Sequence, residues 1–430
     1  MNREKAANIT DRVIEYALYG LIVFIPISTA AIGIFSALAI VAFLVNKTLS
    51  RDLYFIKDNK LVYAFLGLFI FFMALSLFNS GPYLVKGFRA FFGKWLQYIL
   101  IFVIVADTFK DPRRLKNAVV LMLGVLALVV LSGYSQRFLG FEFLRNGQVV
   151  SAPNFIPDVT SAFKNRNGLA AYLVFFLVLT LSISAVQFKR TIHKLGTYIL
   201  VFLTGGALLL TLSRGGWLGF LSGSLFLATV TKKYKHILFF LLFFAIGVAL
   251  LPGAAERAIA TLDSSAIKVG MISPQADAGP SKSQTTLSTS FRLYIWQSTI
   301  AMIKENPFLG KGLGTFMDYF PKYAKWGEIY YAHNCYLQIW AESGIFALAA
   351  FLCFAGLILC RAGRTSFRNR HKDLGLVLGG FAAGLFGFLV HSFFDTHLYS
   401  IQLKALFWVM LGLMQATASV LCAKEDLCRP

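Results

Sequence analysis

Hydrophobic positions in this chain neither alternate nor mark one face of short helices. They come in long uncharged runs, such as Leu61 to Phe78, Leu96 to Ala106 and Ile237 to Leu251, broken by short polar connections that carry Lys and Arg. A run of about 20 apolar residues crosses about 30 Å of hydrocarbon as a helix. The runs predict an all-α integral membrane protein with about 12 transmembrane helices. The stretch from Tyr16 to Val45 is too long for one perpendicular span, and Pro26, Ser28, Thr29 and Gly33 interrupt it. Two spans and a tight turn follow. The run has no convincing small-residue cleavage site, which argues against a cleaved signal peptide.

The placing of Lys and Arg sets the expected orientation. With Arg3, Lys5 and Arg12 taken as cytoplasmic, the basic connections at 47–60, 107–116, 187–194, 232–236 and 361–372 all fall on the same side, as the positive-inside rule requires. Segments 79–92, 136–166, 252–332 and 395–400 then lie outside, and both termini are cytoplasmic. The expected division is residues 1–251 with roughly nine spans, a large periplasmic loop at 252–332 containing short amphipathic helices, and residues 333–430 with roughly three more.

Composition agrees: 57% hydrophobic and 14% charged residues leave more apolar surface than one soluble core could bury. The net charge of +21 is explained largely by the inner loops, which suit anionic membrane lipids. Nucleic-acid binding is disfavoured because the basic residues are scattered among membrane turns. The five cysteines show no metal-type spacing, and none falls in the long loop, so no disulfide framework braces it.

Ionisable residues are nearly absent from the span interiors, where an ion-coupled transporter needs them. They collect instead at the predicted outer helix ends. Ser213-Arg214-Gly215-Gly216-Trp217 interrupts the run from Leu195 to Val230, which predicts two spans joined by a turn that the glycines permit. Arg214 then either snorkels to headgroups or presents a fixed guanidinium to a lipid-linked phosphate. Ser290 to Trp296 opens a helix with Leu293, Trp296, Ile300 and Ile303 on one face, ended by Asn306-Pro307 and lying on the outer interface. Arg292 in its first turn opposes the helix dipole, a hint of an anionic partner set against an ordinary surface arginine.

Gly310-Lys311-Gly312-Leu313-Gly314 follows no strand, which excludes a dinucleotide fingerprint and leaves a backbone-permissive turn bringing Lys311 to the same surface. Ala332-His333-Asn334 stands just before the run Ile345 to Cys360, so His333 sits at the outer mouth of a span. His391, Asp395 and His397 supply metal-ligand types without a metal-site spacing, and no metal is expected. Asp395 is a candidate to orient His333.

These motifs, in this order, resemble the O-antigen ligase and polymerase superfamily. Ligases and O-linking oligosaccharyltransferases there are similar in having a His followed by Asn, Ser or Gln, then nine residues and a Gly; His333, Asn334 and Gly344 match. Ala347 departs from the Gly, Thr or Tyr usual three residues later. The resemblance implies glycosyl transfer at the periplasmic face of a bacterial inner membrane. The donor would be an undecaprenyl pyrophosphate-linked glycan, and the acceptor a sugar hydroxyl of the lipid A core. It implies an inverting enzyme without metal or cofactor, with His333 as base and Arg214 and Arg292 holding the pyrophosphate. Lys86, Arg89, Lys164, Arg166, Lys311, Asn334 and Asp395 are supporting candidates. The alternatives are a polymerase of the same superfamily and, less favoured, a protein O-oligosaccharyltransferase or a lipid or polysaccharide transporter.

Overall fold

The computed structural model describes residues 3–50, 60–145, 159–250, 284–324 and 330–423, with 284–290 described by backbone alone. The expected segments at 47–60, 136–166 and 252–332 therefore lie partly outside the described residues. What is described is helical. Helices α1 (Arg3–Phe24) and α2 (Thr29–Ser50) form a hairpin around Pro26, as the interruption there predicts. Then come α3 (Lys60–Ser76), α4 (Leu84–Ala90), α5 (Gln97–Thr108), α6 (Pro112–Leu139), α7 (Arg166–Ile183), α8 (Thr191–Leu210), α9 (Arg214–Thr231) and α10 (Tyr234–Leu250). After the long connection come α11 (Gln284–Glu305), the single turn α12 (Phe316–Tyr319), α13 (Cys335–Arg368), α14 (Asp373–His391) and α15 (Ile401–Ala423). Among the described residues, 9 helices are long and apolar enough to cross a membrane, and Tyr234–Leu250 is a shorter apolar helix. The protein is a membrane protein.

Lipid offers no partner to a bare backbone group, so the places where these helices start and break are specified. Asp111 caps α6 by accepting from Arg113 N at 2.7 Å, with Pro112 at the first helical position. At the centre of the bundle, α14 packs between α7 and α9. It comes so close that a Cβ on Gly219 would lie 2.8 Å from the Gly387 carbonyl, and one on Gly387 2.5 Å from the Gly219 carbonyl. Small residues at such a crossing let two membrane helices gain dispersion contacts that bulkier side chains would block.

Helix α13 is broken at Gly344, which adopts φ 82° and ψ 173°. A side chain there would fall on the Phe308 carbonyl. The groups freed by the break are taken up by the preceding loop: Ile345 N donates to Pro307 O at 3.0 Å, Lys311 N to Ala341 O at 2.8 Å and Gly312 N to Glu342 O at 2.9 Å. Gly310, Gly312 and Gly314 all have positive φ, which is the backbone permission the sequence predicts. The nine residues between Asn334 and Gly344 are thus the length of one capped helical piece.

Two expectations about α11 change. It begins at Gln284, not at Ser290, because the polar run before Arg292 already helices. Arg292 is therefore beyond the first turn, and the dipole argument for it lapses. The buried face is Ile295, Ser298, Thr299, Met302 and Ile303, whereas Ile300 is exposed.

Candidate active site

Helices α7, α9 and α13 each start with a side-chain cap. Asn165 Oδ1 accepts from Gly168 N at 2.8 Å, Ser213 Oγ from Gly216 N at 3.3 Å, and Asn334 Oδ1 from Tyr336 N at 2.9 Å and Leu337 N at 3.0 Å. Side chains at these three starts are linked, Ser213 to Asn167 and both Asn167 and His333 to Asp395, and a helix N-terminus favours an anion near it. Arg166 and Arg214 are the first helical residues of α7 and α9.

His333 precedes the Asn334 cap with φ 46°, a left-handed conformation that costs energy in a non-glycine residue. Its Nδ1 lies 3.1 Å from Asp395 Oδ1, with the imidazole 33% and the carboxylate 13% exposed. Asp395 sits between α14 and α15. Burial pushes its pKa up, but the His333 hydrogen bond, the nearby His397 and His333, and the Thr396 N–H together hold it well below the usual carboxylate range. An ionised carboxylate only accepts, so Nδ1 carries the proton and Nε2 is left as the basic nitrogen. The second oxygen of Asp395 accepts from Asn167 Nδ2 at 2.7 Å, and Asn167 Oδ1 accepts from Ser213 Oγ at 3.0 Å.

Arg292 joins this group from α11. Burial pushes its pKa down, Asp395 opposes that, and Arg166 adds to it, which places all three within electrostatic reach. Trp296, one turn on, packs its ring 5.5 Å from that of Phe393 and seats α11 against the α14–α15 connection. His391 and His397 stack edge to face at 4.3 Å beneath, both buried. Burial first lowers the His397 pKa, to about 4, with Arg292 and His333 adding to it and Asp395 opposing.

The other candidates are placed differently. Lys86 pairs with Asp318 at 2.6 Å, and Lys311 pairs with Glu305 at 2.5 Å. The glycine turn serves the break in α13, where Lys311 N and Gly312 N donate to the Ala341 and Glu342 carbonyls. Arg89 and Lys164 are exposed. Asn334 works as a cap. Gly215 and Gly216 do not make the α8–α9 turn, whose left-handed residue is Leu212 at φ 51°. They admit neighbours instead, since a Cβ on Gly215 would come 2.7 Å from the His391 ring.

Residues 199–352, which hold Arg214, Arg292, His333 and Gly344, match the protein-family model described as O-Antigen ligase. That match supports membership of the O-antigen ligase superfamily. Proteins with O-antigen ligase domains are glycosyltransferase-like enzymes, generally acting on lipid-linked glycans and lipid acceptors. No curated protein matches the chain. Asn167 and Asp395, which complete the His333 site, lie outside the O-antigen ligase match. The sequence reading reached Asp395 through its pairing chemistry and missed Asn167, Ser213 and the buried role of His391 and His397.

Proposed function

We propose that the protein is an O-antigen ligase, transferring a glycan from undecaprenyl pyrophosphate to a sugar hydroxyl of the lipid A core. In this reading α1, α9 and α10 join the nine long apolar helices in crossing a bacterial inner membrane. The His333 end faces the periplasm, residues 252–332 form the periplasmic loop, and both termini are cytoplasmic. The observation that carries the reading is the 3.1 Å His333–Asp395 contact, which leaves Nε2 as the base, with Arg292 and Arg166 in electrostatic reach of each other and Arg214 opening the helix that Ser213 caps.

The acceptor hydroxyl attacks the anomeric carbon of the donor and gives its proton to His333 Nε2. The carbon–oxygen bond to pyrophosphate breaks, and its electron pair leaves on the lipid pyrophosphate. One displacement inverts the anomeric centre. Negative charge grows on the leaving group, so Arg214 and Arg292, aided by the helix starts and by Arg166, stabilise the transition state more than the ground state. The protein groups supply both ends of the reaction, and the step uses no metal.

The test is transfer by purified protein in liposomes, with lipid-linked glycan donor, lipid A core acceptor and EDTA, comparing wild type with His333→Ala. Product from wild type alone, undiminished by EDTA, is expected. Equal product from both proteins removes His333 from the mechanism. Failure of folded wild type with lipid A core, together with chain growth on a second lipid-linked glycan, moves the assignment to a polymerase.

A further inference from the structure

The contact that orients His333 is itself oriented, and by a residue on a different helix. Asp395 Oδ1 is engaged by His333 Nδ1 and by Thr396 N at 2.8 Å. Oδ2 accepts from the Asn167 carboxamide at 2.7 Å. The same carboxamide accepts from Ser213, whose hydroxyl also caps the helix that begins with Arg214. A carboxamide carries a donor and an acceptor on one rigid plane, so it can satisfy a carboxylate on one side and a hydroxyl on the other. Alanine does neither, and a carboxylate cannot donate unless it is protonated.

We propose that Asn167 is a positioning residue that ties the base to the pyrophosphate-holding turn. Through Asp395 it fixes the tautomer and aim of His333, and through Ser213 it fixes where α9 presents Arg214. The inference rests on the reading of His333 as base. It adds a link between proton acceptance and donor holding, made by a side chain that touches no reacting atom. The geometry demands the amide: two carboxylates 2.7 Å apart, as Asn167→Asp would place them, must share a proton.

The experiment measures kcat and donor KM against pH for wild type, Asn167→Ala, Asn167→Asp and His333→Ala, in the same liposome assay. Asn167→Ala is expected to lose about tenfold to a hundredfold in kcat, the loss of one hydrogen bond to a charged group, and to raise the donor KM. Asn167→Asp is expected to approach wild type at low pH, where its carboxyl donates as the amide does. It should fall toward Asn167→Ala as pH rises, a decline absent from wild type. This near-isosteric variant carries the test should the alanine variant fail to fold. An Asn167→Asp profile parallel to wild type, or Asn167→Ala within about twofold of wild type while His333→Ala is dead, overturns the role of Asn167 and leaves the base reading standing. Product from His333→Ala overturns both.

Discussion

The two ends of the helix bundle use the same residue types in opposite ways. At the end away from His333, cations and carboxylates answer one another: Arg114 grips Asp11 at 2.5 Å and Glu15 at 3.1 Å, and Lys47 reaches Asp107 at 2.7 Å. At the His333 end, three histidines and Arg292 share Asp395, and three of the turns there hold a non-glycine residue at positive φ, namely Ser161, Leu212 and His333. Among the described residues, His391 Nδ1 and His397 Nε2 are buried without a hydrogen-bond partner. Strain, unmet polar atoms and clustered positive charge all lower stability, and a fold keeps them where a ligand or a reaction uses them. One end is settled within the protein; the other, in the proposed reading, is arranged for an anion.

The sharpest way to break this comparison is Asp395→Asn, which changes one atom. Asn167 and Thr396 both donate to this side chain, so an amide cannot offer oxygen to both. If its oxygen turns to Asn167, its NH2 faces His333 Nδ1, which must then accept, and the proton moves to Nε2 where the base is needed. A loss on the order of 10²- to 10⁴-fold in kcat is expected, with the folded fraction unchanged in detergent. Wild-type turnover would show that Asp395 merely anchors a loop.

Much of this was legible in the sequence, for identifiable reasons. The hydrophobic runs mark the helices because lipid demands uninterrupted apolarity, and Pro26 and Asn306-Pro307 mark ends because they cannot continue a helix. Asp395, 62 positions from His333, is a candidate partner because imidazole and carboxylate are complementary, but that the two meet is decided by how the α14–α15 connection folds. Asn167 offers no such pointer. An asparagine in Asn165-Arg166-Asn167-Gly168 reads as helix-start chemistry, and which asparagine caps and which reaches across is settled only by the packing of α7 on α9. The face of α11 was misjudged for a related reason. Its hydrophobic positions spread around the helix, and the contacts with Phe316, Phe320 and Ala332 choose among them.

A smaller effect sharpens the contrast through stability. His397 is buried against the Phe388 and His391 rings, and Asp395, Arg292 and His333 face it. Its folded pKa of about 4 lies below the ordinary 6.5. Between these values the unfolded chain takes up a proton that the folded protein refuses, so unfolding free energy falls as pH drops through 6.5 and stops falling near 4. The whole window corresponds to about 3 kcal/mol. The thermal midpoint in detergent should drop from pH 7 to pH 4, and His397→Phe should flatten that slope. An unchanged slope would mean the ring is not held neutral.

The smallest effect belongs to the opposite end and is the control for the whole contrast. Arg114 binds Asp11 through both terminal nitrogens and Glu15 through Nε, with side chains partly open to solvent. An exposed pair of this kind contributes about 1 kcal/mol or less, and the network here somewhat more. Arg114→Gln should lower the thermal midpoint slightly and leave kcat and donor KM within about twofold. The reason is physical separation: its partners lie on α1, at the end of the bundle away from His333, and the turn after α1 meets α15 where Gln402 Nε2 donates to the Pro26 carbonyl at 2.7 Å. A tenfold loss of transfer in folded Arg114→Gln would mean that the two ends are coupled along α1 and α15, and that the settled end helps to set the reactive one.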